Sequence, residues 1–324
     1  MRLRFLALVA VLLTAASPAP AQNTDLSADY PDRPVRFYNS GGVANTASRV
    51  LAEKLTASLG KAFVVETVAG AGGFLAAIKV ATSPADGYTI FMAGEGAMTS
   101  NVALYKSLPY NPLNDFVHIT LAADSMNILV VNPALPVKTL PDLIALAKER
   151  PGKLTFASSG FGNSPHLAGE LLKSLAAVDV LHVPYRDAGA VLPDLIAGRV
   201  DFYFGNTSAM MPLMQEGKVR ALAVTGASRN ANVPELPTVA ELGFPGYQAT
   251  TWIGIIAPTG LPKPIVSKLH REFTQALALP DVKKRFVDMG LNVIGSTPEQ
   301  FTAQIASDIP KKIKIVTDAG IERR

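Results

Sequence analysis

The chain has no cysteine, a single tryptophan and only four histidines among 324 residues. Without cysteine there is no disulfide framework, no thiolate metal site and no cysteine that could carry a lipid anchor. The histidines, His118, His166, His182 and His270, show no H-x-x-x-H spacing, and there is no H-E-x-x-H element, so no metal site is expected. G-x-S-x-G and G-x-x-x-x-G-K-[ST] are also missing, which argues against a hydrolase nucleophile elbow and a nucleotide P-loop. Gly70-Ala71-Gly72-Gly73 imitates a dinucleotide fingerprint but fails on spacing, since Leu75 stands where glycine or alanine is needed. Basic residues are scattered and aromatics make up 7% of the chain, which speaks against a nucleic-acid surface. No cofactor is implied. These absences point to a protein that holds a molecule and does not transform it.

What is present begins with an address. Arg2 and Arg4 precede the apolar run FLALVAVLL, and Ala19-Pro20-Ala21 offers an A-x-A cleavage site. This is the layout of a secretory signal peptide over residues 1–21. The run falls well short of the roughly 20 apolar residues that span a bilayer. Cleavage after Ala21 removes two arginines and no acid, lowering the formal charge from +4 to +2, and leaves a soluble exported protein.

Beyond that point short β-branched segments alternate with helical ones. PVRFY at 34–38, FVVETV at 63–68, YTIFM at 88–92 and NILVVN at 127–132 read as strands. So do segments at 155–157, 180–182, 200–204, 219–224 and 249–257. Ala47, Val50, Leu51 and Leu55 mark the apolar face of a first helix, with Asn45 or Thr46 as the expected N-cap and Gly60 closing it. Further helices are expected at 140–149, 263–278, 281–289 and 298–319. Such alternation is the pattern of open α/β sheets. Crossings near 123–129 and 250–256 would divide the chain into two lobes with a cleft between them.

The strand-to-helix joints are small, polar and glycine-rich. Ser40-Gly41-Gly42, Gly70–Gly73 and Gly94-Glu95-Gly96 end three successive strands. Glycine there can simply permit a tight turn, but recurrence in front of helix N-termini favours a ligand-facing role, with anions as the preferred guests. Ser158, Ser159, Gly160, Gly162, Asn163 and Ser164 form a fourth joint, richer in hydroxyls and amides than capping requires. Arg186 follows a strand end, where it could clamp a carboxylate or merely pair with Asp187. Asn206, after Phe204-Gly205, is another cleft candidate. His166 reads as structural, and Trp252 as either a ligand-stacking residue or a core or hinge residue.

Taken together the chain resembles the Bug family, the periplasmic solute-binding subunits of tripartite tricarboxylate transporters. The segments that carry the resemblance include YPDRPVR at 30–36, AGAGG at 69–73, ADGYT at 85–89, LPYNPLNDF at 108–116 and VVNPALPVKTLPDLIALAKERPGKL at 130–154. HLAGELLKS at 166–174, HVPY at 182–185, KVRALAVTG at 218–226 and LPTVAELGFPGY at 236–247 extend it over nearly the whole mature chain. It implies an α/β, two-lobed periplasmic binding protein fold of type II, with a mostly parallel or mixed sheet in each lobe and a ligand cleft between them. Lobe 1 would be discontinuous, 27–125 plus 251–324, and lobe 2 would span 126–250.

Carried over by position, the ligand-binding set is Tyr38, Asn39, Ser40, Gly41 and Asn45 in the first loop, then Gly72, Gly73, Gly94, Glu95 and Asn101. The second lobe would add Ser158, Ser159, Gly160, Asn163, Ser164, Arg186, Asp187, Ala188, Gly205 and Asn206. The pocket loops depart from the family pattern: YNSGG is shorter than the usual PFPPGG, Asn45 stands in an acidic place, and GEGAMT puts Glu95 where TSGTHA has a hydroxyl. Tyr-Arg-Asp replaces Tyr-Lys-Gly, and FGN replaces FDN.

A retained scaffold with altered loops implies the same task on a different ligand. The shorter loop suits a bulkier carboxylate, aromatic or a longer dicarboxylate, with Arg186 on one end. Glu95 would repel a carboxylate unless neutralised or facing an amino group, which keeps a zwitterionic or amide-bearing ligand open. The implied partners are that ligand and the membrane permease subunits, the protein acting as a monomer in the periplasm. The alternatives are a binding protein that signals to a sensor kinase and a secreted enzyme.

Overall fold

A computed structural model describes residues 28–230 and 232–323. The segment read as a signal peptide lies outside the described residues. Ten strands form: β1 (Val35–Asn39), β2 (Phe63–Thr67), β3 (Thr89–Gly94), β4 (Phe116–Val131), β5 (Thr155–Ser158), β6 (Leu181–Pro184), β7 (Phe202–Asn206), β8 (Arg220–Val224), β9 (Thr250–Pro258) and β10 (Asn292–Val293). The helices are α1 (Gly42–Leu59), α2 (Phe74–Ala81), α3 (Asn101–Leu104), α4 (Leu140–Glu149), α5 (Ser164–Ala176), α6 (Ala188–Ile196), α7 (Thr207–Gln215), α8 (Lys263–Ala278), α9 (Pro280–Asp288) and α10 (Pro298–Asp318).

Two mixed sheets share one long strand. In the first lobe β1 pairs in parallel with β2 and β3, and β9 lies antiparallel between β3 and β4. In the second, β5 pairs in parallel with β6 and β7, while β4 lies antiparallel to β7 and β8. The first part of β4, through Met126, pairs with β9; from Asn127 onward it pairs with β7 and β8. Strands β4 and β9 therefore carry the chain from one lobe to the other and back.

The inner strands β3, β7 and β9 are covered on both faces and read as nearly continuous apolar runs. Alternate residues serve opposite cores. Phe37, Ile90 and Met92 pack with α1 and α8 through Leu51, Leu55 and Phe273, whereas Tyr38, Phe91 and Ala93 pack with Phe301 and Ile305. In the second lobe Leu129 and Val131 join Phe156, Phe204 and Tyr247. Ile128 and Val130 join Tyr203, Val191 and Leu195 on the other face.

Two expectations are corrected. The first helix starts at Gly42 with Gly41 as N-cap (φ 90°), ahead of Asn45 and Thr46, because only glycine adopts that turn without strain. Its left-handed stop at Gly60 is as expected. The crossing strand, expected over 127–132, begins eleven residues earlier at Phe116. Polar residues hid its first part, and each finds a partner on a segment far along the chain. His118 Nδ1 lies 2.8 Å from Thr302 Oγ1 and its Nε2 lies 2.9 Å from the Pro112 carbonyl. Thr120 Oγ1 donates to the Ser296 carbonyl (2.8 Å), and Asp124 accepts from Asn292 Nδ2 (3.0 Å).

At Gly254 on β9 an added Cβ would sit 2.3 Å from Phe301 Cζ and 3.0 Å from the Thr120 carbonyl oxygen. Gly254→Ala should therefore lose about 1–3 kcal/mol through overpacking. In urea unfolding the midpoint should drop with the slope unchanged. An unchanged midpoint would contradict this packing.

Candidate functional site

A cavity of about 820 Å³ opens between the lobes. Lobe 1 contributes Ser40, Gly41, Val43, Ala44, Gly72, Gly94, Glu95, Gly96, Ser100, Asn101, Leu104 and Tyr105. Lobe 2 contributes Phe161, Gly162, Asn163, Ser164, His166, Glu170 and His182. Thr251, Trp252 and Ile253 of the returning strand and Ala319–Glu322 of the C-terminal tail complete the wall.

The first wall is the N-terminus of α1. The buried carboxamide of Asn39 accepts from the Gly41 N–H (2.9 Å) and Thr67 Oγ1 (3.1 Å) and donates to the Glu66 carbonyl (3.3 Å). These bonds turn the chain from β1 into the helix. No side chain caps α1 and no acid lies in its first turn. Its leading N–H groups and positive dipole end are thus left for a guest. The loops of this lobe touch closely: a Cβ on Gly73 would lie 3.1 Å from Ala97 Cβ and 3.4 Å from Ser40 Cβ.

After β3 a single π turn, Gly96–Ser100, carries the chain into α3. Glu95 stands at its start, 4% exposed; its Oε1 accepts from Thr99 Oγ1 and from Ser100 Oγ (2.8 Å) and forms an ion pair with Lys312 Nζ at 3.2 Å. Lys312 projects from α10 and is itself 9% exposed. The charge that looked repulsive in the sequence is compensated by a residue 217 positions away. The sequence did carry one signal: Lys312 falls on the buried stripe Phe301, Ile305, Asp308, Lys312, Val316 of its helix. A lysine at such a position calls for an acid.

In lobe 2 Asn163 caps α5 by accepting from the His166 N–H (3.1 Å) and donates to Ser159 Oγ (2.8 Å). Ser164 Oγ accepts from Asn127 Nδ2 (2.9 Å), tying this helix to the crossing strand. The His166 and His182 rings stack with centroids 3.9 Å apart, and Phe161, 61% exposed, meets both edge-on. His166 Nδ1 accepts from the Gly162 N–H (2.9 Å), which leaves the ring neutral with its proton on Nε2. Burial, the neighbouring His182 and Lys173 push its pKa down to about 3. Burial and Lys173 push His182 down to about 4. The Glu170 carboxylate, 3.9 Å from His166 Nε2, is already held by Lys173 at 2.9 Å and does not reverse this.

One pairing was missed in the sequence. Ser158 Oγ lies 2.6 Å from His182 Nε2, a nucleophile–base distance. Ser158 is fully buried and its hydroxyl also closes a turn with the Gly160 N–H (3.2 Å) and carbonyl (3.0 Å). An imidazole with a pKa near 4 is a poor base at neutral pH, and a sealed hydroxyl reaches no substrate.

Of the residues singled out in the sequence, Ser40, Gly41, Gly72, Gly94, Glu95, Asn101, Asn163 and Ser164 line the cavity. Asn39, Gly73, Ser158, Ser159 and Gly160 stand behind it and shape its loops. Tyr38 is a core residue, 1% exposed. Asn45 sits within α1, accepting from Thr67 Oγ1 (3.3 Å) and Arg49 Nε (3.3 Å). Gly205 packs against Met210, and Asn206 caps α7 while donating to Ser125 Oγ (3.2 Å) beside the crossing. Asp187 caps α6, which begins at Ala188. The Arg186 side chain is 88% exposed and pairs with Asp187 at 3.1 Å, so in this structure it does not reach the cavity. Trp252 is a core residue that also borders the cavity: it is packed edge-on to Phe301 while Nε1 donates to Asp308 Oδ2 (3.1 Å).

Residues 47–321 match the model of the tripartite tricarboxylate transporter family receptor, and the chain belongs to that family of periplasmic solute-binding proteins. A UPF0065 protein from the tcbD–tcbE intergenic region of Pseudomonas sp. strain P51 is 36% identical, covering 98% of this chain and 94% of that one. Protein BugT of Bordetella pertussis is 33% identical, covering 98% of each chain. An R. palustris protein solved with adipate superposes with a TM-score of 0.79 at 33% identity, covering 91% of this chain and all of that one. These relatives bear out the Bug resemblance and the two-lobed fold.

Lys312→Met would leave Glu95 buried without its partner, a change that costs about 3–5 kcal/mol in comparable pairs. Chemical denaturation should show that loss, and a change below 1 kcal/mol would contradict the pairing. The two histidines set a pH dependence. Their pKa values lie below the ordinary 6.5, so the unfolded chain binds more protons between that value and about 3–4. Stability contributed at neutral pH is therefore lost as pH falls through this window. A His166→Gln/His182→Gln variant should lose less stability than the parent between pH 7 and pH 4.5, read by thermal unfolding. Parallel losses would contradict the neutral stack.

Proposed function

We propose that the protein captures a small carboxylate between its lobes and delivers it to the membrane subunits of a tripartite tricarboxylate-type transporter. The observation that carries this reading is the convergence of the N-termini of α1 and α5, from opposite lobes, on one cavity whose lining, among the described residues, contains no lysine or arginine. The N–H groups of α1, which no side chain caps, and the dipoles of both helices form an anion site that needs no cationic side chain. The adipate on the R. palustris relative is in keeping with it.

Closing the lobes over the guest excludes water and strengthens those bonds. The apolar wall of Val43, Leu104, Tyr105, Phe161 and Ile321 gives the body of the guest a place to lie. The lobe boundaries proposed are those at 126 and 250, where β4 and β9 change partners. Export with cleavage after Ala21 and action as a monomer belong to the same proposal. The Ser158–His182 contact does not favour hydrolysis, for the reasons of burial and basicity given above.

A thermal-shift screen of the mature protein against aliphatic and aromatic mono-, di- and tricarboxylates tests the reading. A hit at a hundredfold excess over Kd should add about 2.7 kcal/mol of stability. Recovery of that hit unchanged after prolonged incubation is expected. No shift with any carboxylate, or turnover of the hit, would contradict binding as the task. Arg186→Ala should leave carboxylate affinity within about twofold, as for an exposed pair; a loss beyond tenfold would place Arg186 at the ligand after all.

A further inference from the structure

Glu95 presents one free oxygen to the cavity. Its two hydroxyl donors, Thr99 Oγ1 and Ser100 Oγ, and its ion-pair partner Lys312 Nζ all converge on Oε1. Oε2 receives none of them. Among the described residues no sealed side-chain nitrogen or oxygen lacks a hydrogen-bond partner, so Oε2 opens onto the cavity that Glu95 lines. The carboxylate is held in place by its neighbours, and Lys312 offsets its charge. It needs no cation from the guest, but it can accept one more hydrogen bond.

We infer that Glu95 Oε2 is the specificity-determining acceptor of this site, and that the ligand is a carboxylate bearing a hydroxyl or ammonium group on the adjacent carbon. The inference rests on the carboxylate-capture reading above. Adjacency follows from the loops. Glu95 and Gly96 belong to the same joint, and a Cβ on Gly96 would stand 3.0 Å from the Gly72 carbonyl of the neighbouring one. Both line the cavity with Ser40 and Gly41 at the start of α1. In the inferred pose a carboxylate on the α1 N–H groups has its next carbon beside Glu95. A bare carboxylate there leaves Oε2 desolvated with no donor, and a second carboxylate meets it lone pair to lone pair. The lining offers no relief, since its other acidic or basic chains among the described residues, the two neutral histidines aside, are Glu170 and Glu322.

The test uses matched skeletons in isothermal titration of the mature chain at one salt concentration. 3-Phenylpropanoate, 3-phenyllactate and phenylalanine differ only in hydrogen, hydroxyl or ammonium beside the carboxylate. Hexanoate, 2-hydroxyhexanoate and norleucine repeat the comparison without a ring, and adipate serves as the bare dicarboxylate. In at least one skeleton a donor-bearing member should bind about tenfold or more tightly than its parent.

Glu95→Gln turns an amide donor towards the cavity and should erase or invert that preference. Because this leaves Lys312 uncompensated, Glu95→Gln/Lys312→Met is measured beside it and should also lose the preference. Equal or tighter binding of the bare acids, or a preference that survives in both variants, overturns the inference. Adipate binding alone overturns it while leaving carboxylate capture standing; no binding by any of the seven overturns both.

Discussion

The molecule depends on the antiparallel pairing of β4 with β9. This ladder runs from Phe116 against Pro258 to Met126 against Thr250, with register shifts near His118 and Leu121. One strand leaves the first lobe and the other returns to it, so this pair sets how the lobes face each other. Trp252 and Ile253 of the returning strand form part of the cavity wall directly. Sheets covered on both faces resist deformation because their cores are close-packed. The loops at strand ends are then free to vary while the frame that aims them stays fixed.

On that frame the site is made mostly from backbone. The N-termini of α1 and α5 both border the cavity, and the loops are bent into place by buried amides such as Asn39 and Asn163. Two of the acids that line the cavity are paired within the protein: Glu95 with Lys312 and Glu170 with Lys173. The stacked imidazoles stay neutral at physiological pH. The C-terminal tail closes one side, with Arg323 Nη2 donating to the carbonyls of Val102 (3.1 Å) and Tyr105 (2.6 Å) while Ile321 packs by Leu104 and Leu167. Little rearrangement of charge is then needed when a guest enters.

Much of the frame was legible in the sequence because its cues are local. β-Branched runs ended in glycine joints, and helices α4, α8 and α10 carried clear apolar periodicity and proline starts. The hidden half of β4 defeats that logic, since His118, Thr120 and Asp124 find partners on segments far along the chain. The lobe 1 joints were found for a sound reason, glycine ahead of a helix. Arg186 was overvalued because an arginine at a strand end looks the same whether it turns inward or into solvent. Lys312, Phe161 and His182 were passed over because their roles exist only through contacts between elements. The tail lining the cavity carries no chemistry that a sequence would mark.

The most direct measurement is a crystal structure of the mature protein with the strongest carboxylate found by titration. The expected density has the carboxylate on the N–H groups at the start of α1, a donor group of the ligand on Glu95 Oε2, and Arg186 in solvent. A carboxylate gripped by Arg186, or bound away from this cavity, would contradict capture by the helix N-termini.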